Sequence, residues 1–122
     1  MCKYIKKYEW RISIIPVDEY GAINLSELER AISPETILIT VMYANNEVET
    51  VQPIAEIIKS KRVAFHTDAV QSVKKIPVIA DELGVDLLPI GGHKIYAPAG
   101  IGVLYCKRVL KIAPLIFWMG HE

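Results

Sequence analysis

An α/β fold, with helices packed on a mostly parallel sheet, is what this sequence predicts. Three observations carry that reading. Short β-prone runs alternate along the chain with runs whose apolar residues recur at helical 3-4 spacing. One run, Thr36–Met42, is almost wholly apolar or β-branched, the composition of a strand buried on both faces of a parallel sheet. Polar clusters follow three of the strand-like runs, and this architecture gathers its ligands at the carboxyl ends of strands.

The first strand is expected at Arg11–Val17, followed by a turn at Asp18–Ala22 in which Gly21 can take positive φ. Asn24 or Ser26 can cap the next helix, with Leu25, Leu28, Ala31 and Ile32 on its inner face and Ser33-Pro34 ending it. After the Thr36–Met42 strand, a second helix begins at Pro53 and carries Ile54, Ala55, Ile57 and Ile58. Lys59, Lys61 and Arg62 sit near its carbonyl end, where positive charge is favourable. Val63–His66 is the next strand. A short helix over Val78–Leu83 stops at Gly84, Val85–Ile90 forms a further strand, and Gly100–Tyr105 returns as a last one.

The chain has 122 residues, 52% of them apolar, with 14 basic and 14 acidic side chains. That is enough apolar surface for one globular domain over 1–122, and too little contrast for disorder. Matched charges leave no basic stripe for nucleic acid. No apolar window reaches the roughly 18 residues of a membrane span, and Met1–Lys7 is basic without a following apolar h-region, so a cytoplasmic protein is expected. Cys2 and Cys106 form no disulfide or metal pattern, and Cys106, in the run Gly102–Cys106, reads as a buried inert thiol. Trp10 and the tyrosines read as packing residues.

The three strand-end clusters are Tyr43–Val48, His66-Thr67-Asp68 with Gln71 one helical turn beyond, and Gly91-Gly92-His93-Lys94. Asparagines such as Asn45 and Asn46 commonly build loops. His66, Asp68 and His93 on separate strand ends lack metal-ligand spacing, and no metal is expected. Glu47 reads as a solvated loop carboxylate. An aspartate, an amide and a lysine at one sheet edge do suit a pyridoxal 5'-phosphate (PLP) site: the lysine amine forms a Schiff base, the carboxylate pairs with the pyridinium nitrogen, and amides position the ring oxygen. A single crossover brings Asp68 and Lys94 to that edge. A solvated lysine and a capping aspartate remain the alternative on spacing alone.

Four segments go further. Ala44–Val48, His66–Gln71, Leu83–Leu88 and Gly92–Tyr96 closely resemble, in order and approximate spacing, the PLP-dependent cysteine desulfurases of the class-V aminotransferase family, with selenocysteine lyases as close relatives. The likeness runs from about residue 8 to 122. It implies a partial PLP-dependent aminotransferase-like (fold type I) large domain, with Lys94 as the Schiff-base lysine, Asp68 facing the ring nitrogen, Gln71 at the ring hydroxyl, His93 helping to hold the phosphate and Asn46 near ring and substrate. It further implies L-cysteine (or selenocysteine) as substrate, alanine and an enzyme-bound persulfide as products, sulfur-acceptor proteins of iron-sulfur or thiocofactor assembly as partners, and a homodimer or association with further segments.

Departures from the family pattern bear on this. The upstream Gly-Thr phosphate turn and the ring-stacking histidine have no counterpart, and neither cysteine matches the persulfide-forming one, so a central segment inactive by itself is expected, or else a noncatalytic PLP-binding or interaction module. Gly91 stands where many members have a phosphate-binding serine, Glu49 where glycine is usual, and Ala99 where a lysine is common.

Overall fold

The computed structural model describes residues 9–58, 63–98 and 100–113. In chain order the elements are helix α1 (Leu25–Ala31), strand β1 (Leu38–Met42), helix α2 (Ile54–Ile58), strand β2 (Ala64–Asp68), helix α3 (Ala80–Leu83), strand β3 (Leu87–Gly91), a 3-10 turn (Gly92–Lys94) and strand β4 (Gly102–Cys106). The sheet order is β1-β2-β3-β4. β1 runs parallel to β2 and β2 to β3, whereas β4 returns antiparallel beside β3. The α/β class and the mostly parallel sheet are therefore as the sequence predicts.

Local chemistry accounts for the element ends. Asp18 Oδ1 accepts from the backbone N–H of Tyr20 and Ala22, and Gly21 sits at φ 79°, so the expected turn forms as an Asx turn. Asn24, not Ser26, caps α1, accepting from Glu27 N. Gly84 stops α3 in the left-handed conformation, its N–H bonded to the Ala80 and Asp81 carbonyls.

Because the parallel strands lie in sequence order, right-handed connections place α2 and α3 on the same face of the sheet. That face carries Ile39, Phe65 and Leu88, which join Leu28, Ile54 and Ile57 in the core. Each such side chain contributes on the order of 1.5–3 kcal/mol through removal from water. Asp86 knits the far end of the sheet. Its Oδ2 accepts from Phe65 N at 2.9 Å, its N–H donates to Phe65 O, and its carbonyl accepts from Lys107 N.

Four expectations are corrected. Arg11–Val17 forms no strand: it makes one bridge, Val17 to Ile23, and Ile14 lies open, because no described strand runs alongside to take up its backbone groups. The Thr36–Met42 run is a strand from Leu38, but only Ile39 is buried; β1 is the sheet edge, and Leu38 and Met42 point to the face the helices leave uncovered. Cys106 is exposed, since β4 is the opposite edge. Of the aromatic residues expected to pack, Tyr43 and Tyr105 lie against the core, whereas Trp10, Tyr20 and Tyr96 are exposed. The expected helix-end charges Lys59, Lys61 and Arg62 lie outside the described residues.

Candidate active site

The carboxyl ends of β1, β2 and β3 lie side by side, with Met42 opposite Asp68 and Tyr43 N donating to Asp68 O at 2.9 Å just beyond. A loop leaves each end, and the loops carry the sequence-predicted residues.

The first loop is a small hairpin. Gln52 N donates to Tyr43 O, Asn45 N to Thr50 O, and Ala44 bridges to Val51. Asn45 is structural: its Oδ1 accepts from Glu47 N at 2.7 Å and from Val48 N. Asn46 is exposed at the tip, and among the described residues its side-chain amide has no hydrogen-bond partner. Residue type and spacing did not separate the two asparagines, although the family resemblance singled out Asn46; the turn gives Asn45 the loop-building role. Glu49, where the family pattern has glycine, adopts φ 57°, the left-handed region that glycine enters without cost.

The second loop starts at Asp68, whose Oδ1 accepts from Val70 N at 2.9 Å. Ser72 N and Val73 N both bond to Ala69 O, giving the helical turn expected after Asp68 and placing Gln71, half-buried, upon it. Among the described residues no hydrogen bond reaches Asp68 Oδ2 or the Gln71 amide. Ser72 is fully buried with its hydroxyl unpartnered among the described residues.

The third loop begins with two glycines that have steric roles. A Cβ on Gly92 would fall 2.6 Å from the Ile101 carbonyl, which already accepts from Gly92 N, so no larger residue fits. A Cβ on Gly91 would lie 2.8 Å from His93 Cε1 and 3.1 Å from Val70 Cγ1. His93 and the Asp68 turn therefore converge on Gly91. The 3-10 turn then presents Lys94, half-buried, its amine without an ion pair among the described residues. A second link between these loops, missed in the sequence, is the Lys74 ammonium 3.8 Å from the Tyr96 ring centroid.

His66 is not part of this cluster of free groups. Its Nδ1 pairs with Thr40 Oγ1 at 2.7 Å on β1. Burial lowers its pKa below the ordinary 6.5, with the nearby Asp68 carboxylate partly opposing. Thr67 is fully buried and donates to Val41 O, a packing role. No three His, Cys, Asp or Glu side chains come together as a metal site among the described residues.

The aminotransferase class-V family model matches residues 2–118. The chain belongs to the aminotransferase class-V family. Within it, the chain is 48% identical to cysteine desulfurase IscS of Dictyoglomus turgidum over 99% of its own length and 32% of that protein's. It is 46% identical to the cysteine desulfurase of Mus musculus over 88% of this chain and 24% of that one. A NifS-like protein superimposes with a TM-score of 0.87 at 38% identity, covering 94% of this chain and 33% of that one. The structure of SspA in complex with cysteine gives 0.86 at 36% identity, covering 94% and 35%. This class-V chain thus spans about a third of the length of the curated relatives it matches. Its fold is that of the corresponding part of a fold type I domain.

Proposed function

We propose that the chain is the cofactor-holding segment of a PLP-dependent cysteine desulfurase. What supports this is that β2 and β3 run side by side and end in loops carrying Asp68, Gln71, His93 and Lys94, each polar side chain retaining unused hydrogen-bonding capacity among the described residues. A carboxylate oxygen, an amide and an amine that are half-buried without a protein partner on neighbouring loops are the groups a polar ligand of this chemistry would take up.

The residues fit the cofactor. Asp68 is anchored through Oδ1 by Val70 N–H, leaving Oδ2 for the ring N–H, where ionised aspartate keeps the nitrogen protonated. Lys94 supplies the amine that holds the cofactor aldehyde, Gln71 the amide for the ring hydroxyl, and His93 beside Gly91 a donor for the phosphate. Asn46, exposed at the tip of the first loop, would offer its amide to substrate and ring. When bound, the cofactor supplies an electron sink for charge developing on the substrate.

In the whole protein this serves conversion of L-cysteine to L-alanine, its sulfur leaving as an enzyme-bound persulfide destined for iron-sulfur or thiocofactor assembly proteins. Selenocysteine is the alternative substrate. Neither Cys2 nor Cys106 matches the family's persulfide-forming thiol, so the described residues account for cofactor holding and not for sulfur transfer. Apolar residues exposed along both edge strands, Leu38 on β1 and Val103 and Leu104 on β4, favour association with further segments or a second copy. That also supports a second reading, a noncatalytic PLP-binding or interaction module. Among the described residues no helix is long and apolar enough to cross a membrane, and a cytoplasmic setting is part of the proposal.

The test is to add pyridoxal phosphate to the purified chain and to Lys94→Ala and record the visible absorbance band. A band in the parent that is absent from the variant is expected. Identical spectra would refute cofactor binding through Lys94. Sulfide and alanine release from cysteine by the chain alone would overturn its restriction to cofactor holding.

A further inference from the structure

Each of the three strand-end loops contains one non-glycine residue in the left-handed region: Glu49 at φ 57°, Lys74 at 69° and Tyr96 at 61°. They follow Asn46, Gln71 and Lys94 by two or three positions. Such backbone is unfavourable for these side chains and persists where surrounding contacts hold it. Two of the three are in contact. The Lys74 ammonium lies 3.8 Å from the Tyr96 ring centroid, within cation–π range. Tyr96 is 92% exposed, so its ring has almost no packing to restrain it other than that lysine.

We propose that Lys74 and Tyr96 form a clasp that holds the Gln71 loop against the Lys94 loop and so positions the cofactor-holding side chains. The inference rests on the proposed PLP site. The geometry supports it from both sides. Gln71 and Lys74 share the turn built on Ala69 O and Ser72 O, so fixing Lys74 fixes that turn. Lys94 and Tyr96 are joined through the bonds of Ile95 N and Ala97 N to Gly92 O. Among the described residues the loops also approach at Gly91, where His93 and Val70 both border the Cβ position, and this lies next to the end of β3 whereas Lys74 and Tyr96 lie further along each loop. Neither Lys74 nor Tyr96 needs to touch the cofactor; both are positioning residues.

A double-mutant cycle reads the clasp. Lys74→Met and Tyr96→Leu each remove one partner at exposed positions that leave the core intact, while Lys74→Arg and Tyr96→Phe keep the cation and the ring. Two readouts are taken on the full chain: amide hydrogen exchange over residues 70–76 and 92–98 without cofactor, and the pyridoxal phosphate Kd from the visible band. Exchange is expected to quicken in both loops in either disrupting variant. The Kd should rise about two- to fivefold, with no further rise in the double variant and near-parent values for Lys74→Arg and Tyr96→Phe. Additive effects, or a change confined to the mutated loop, would overturn the clasp. Coupled exchange with an unchanged Kd would overturn its positioning role. A parent chain without a Lys94-dependent band would overturn the proposed site and the positioning role with it, while the exchange cycle would still decide whether the clasp exists.

Discussion

Replacing Asp86 by alanine should loosen the sheet that presents the site, and its cost can be worked from three contacts. Oδ2 accepts from Phe65 N at 2.9 Å, and Phe65 is 1% exposed, so the orphaned N–H has no water to turn to. Leaving a buried donor unsatisfied costs about 1–3 kcal/mol. Oδ1 lies 3.7 Å from Lys107 Nζ, but that lysine side chain is 46% exposed, so the pair adds at most about 1 kcal/mol after solvent screening. The backbone bonds of Asp86 to Phe65 and Lys107 do not depend on its side chain. The expected loss is therefore about 2 kcal/mol, a large part of the total stability of a domain this size. Urea unfolding followed by far-UV circular dichroism measures it as a lower midpoint at unchanged slope, with Lys107→Met as the comparison. A loss below about 0.5 kcal/mol for Asp86→Ala, or an equal loss for Lys107→Met, would show that the carboxylate–Phe65 bond does not carry the effect.

Other outcomes follow from single residues. Glu49→Gly should raise stability by about 0.5–1 kcal/mol, the relief of a left-handed side chain less the extra freedom of glycine in the unfolded chain, whereas Glu49→Ala should not; a destabilised glycine variant in urea would contradict the strained backbone. His66 is held below its ordinary pKa by burial, so the unfolded chain takes up this proton first. Stability should thus fall as pH drops below about 6.5, until the folded-state ring also protonates. Melting temperatures at pH 7.5 and 5.5 should differ less in His66→Gln than in the parent; an equal difference would exclude His66 as a source. Gly91→Ser should displace the exposed His93 ring with a stability change within about 0.5 kcal/mol. If its hydroxyl reaches the phosphate, it should tighten the pyridoxal phosphate Kd up to about tenfold, and a weaker Kd would mean that His93 beside Gly91 is the more important contact.

Much of the fold was legible because its determinants are local. Asn24 caps α1 by bonding a residue three positions on, Gly84 stops α3 by taking up carbonyls of the preceding turn, and Asp18 folds its own turn. Where the deciding interaction is distant, the sequence reading fell short. Arg11–Val17 has the composition of a strand and finds no strand to pair with among the described residues. Thr36–Met42 has the composition of a central strand and lies at an edge. Cys106 sits in an apolar run on the opposite edge, exposed. The candidate site divides the same way. Asn46, Asp68, Gln71, His93 and Lys94 could be named from motif and order, yet that Asn45 builds the loop turn, and that Lys74 meets Tyr96, could not.

By itself, then, the sequence determined the alternation of strands and helices, most of their ends, and the family to which the chain belongs, because periodicity, caps and short motifs are properties of neighbouring residues. Only the tertiary structure decided which apolar runs are buried, which glycines are sterically required, and how the second and third loops meet at Gly91 and across Lys74 and Tyr96. Those outcomes depend on residues far apart in the chain, and a side chain's burial or partner is fixed only when the strands that carry it take their places in the sheet.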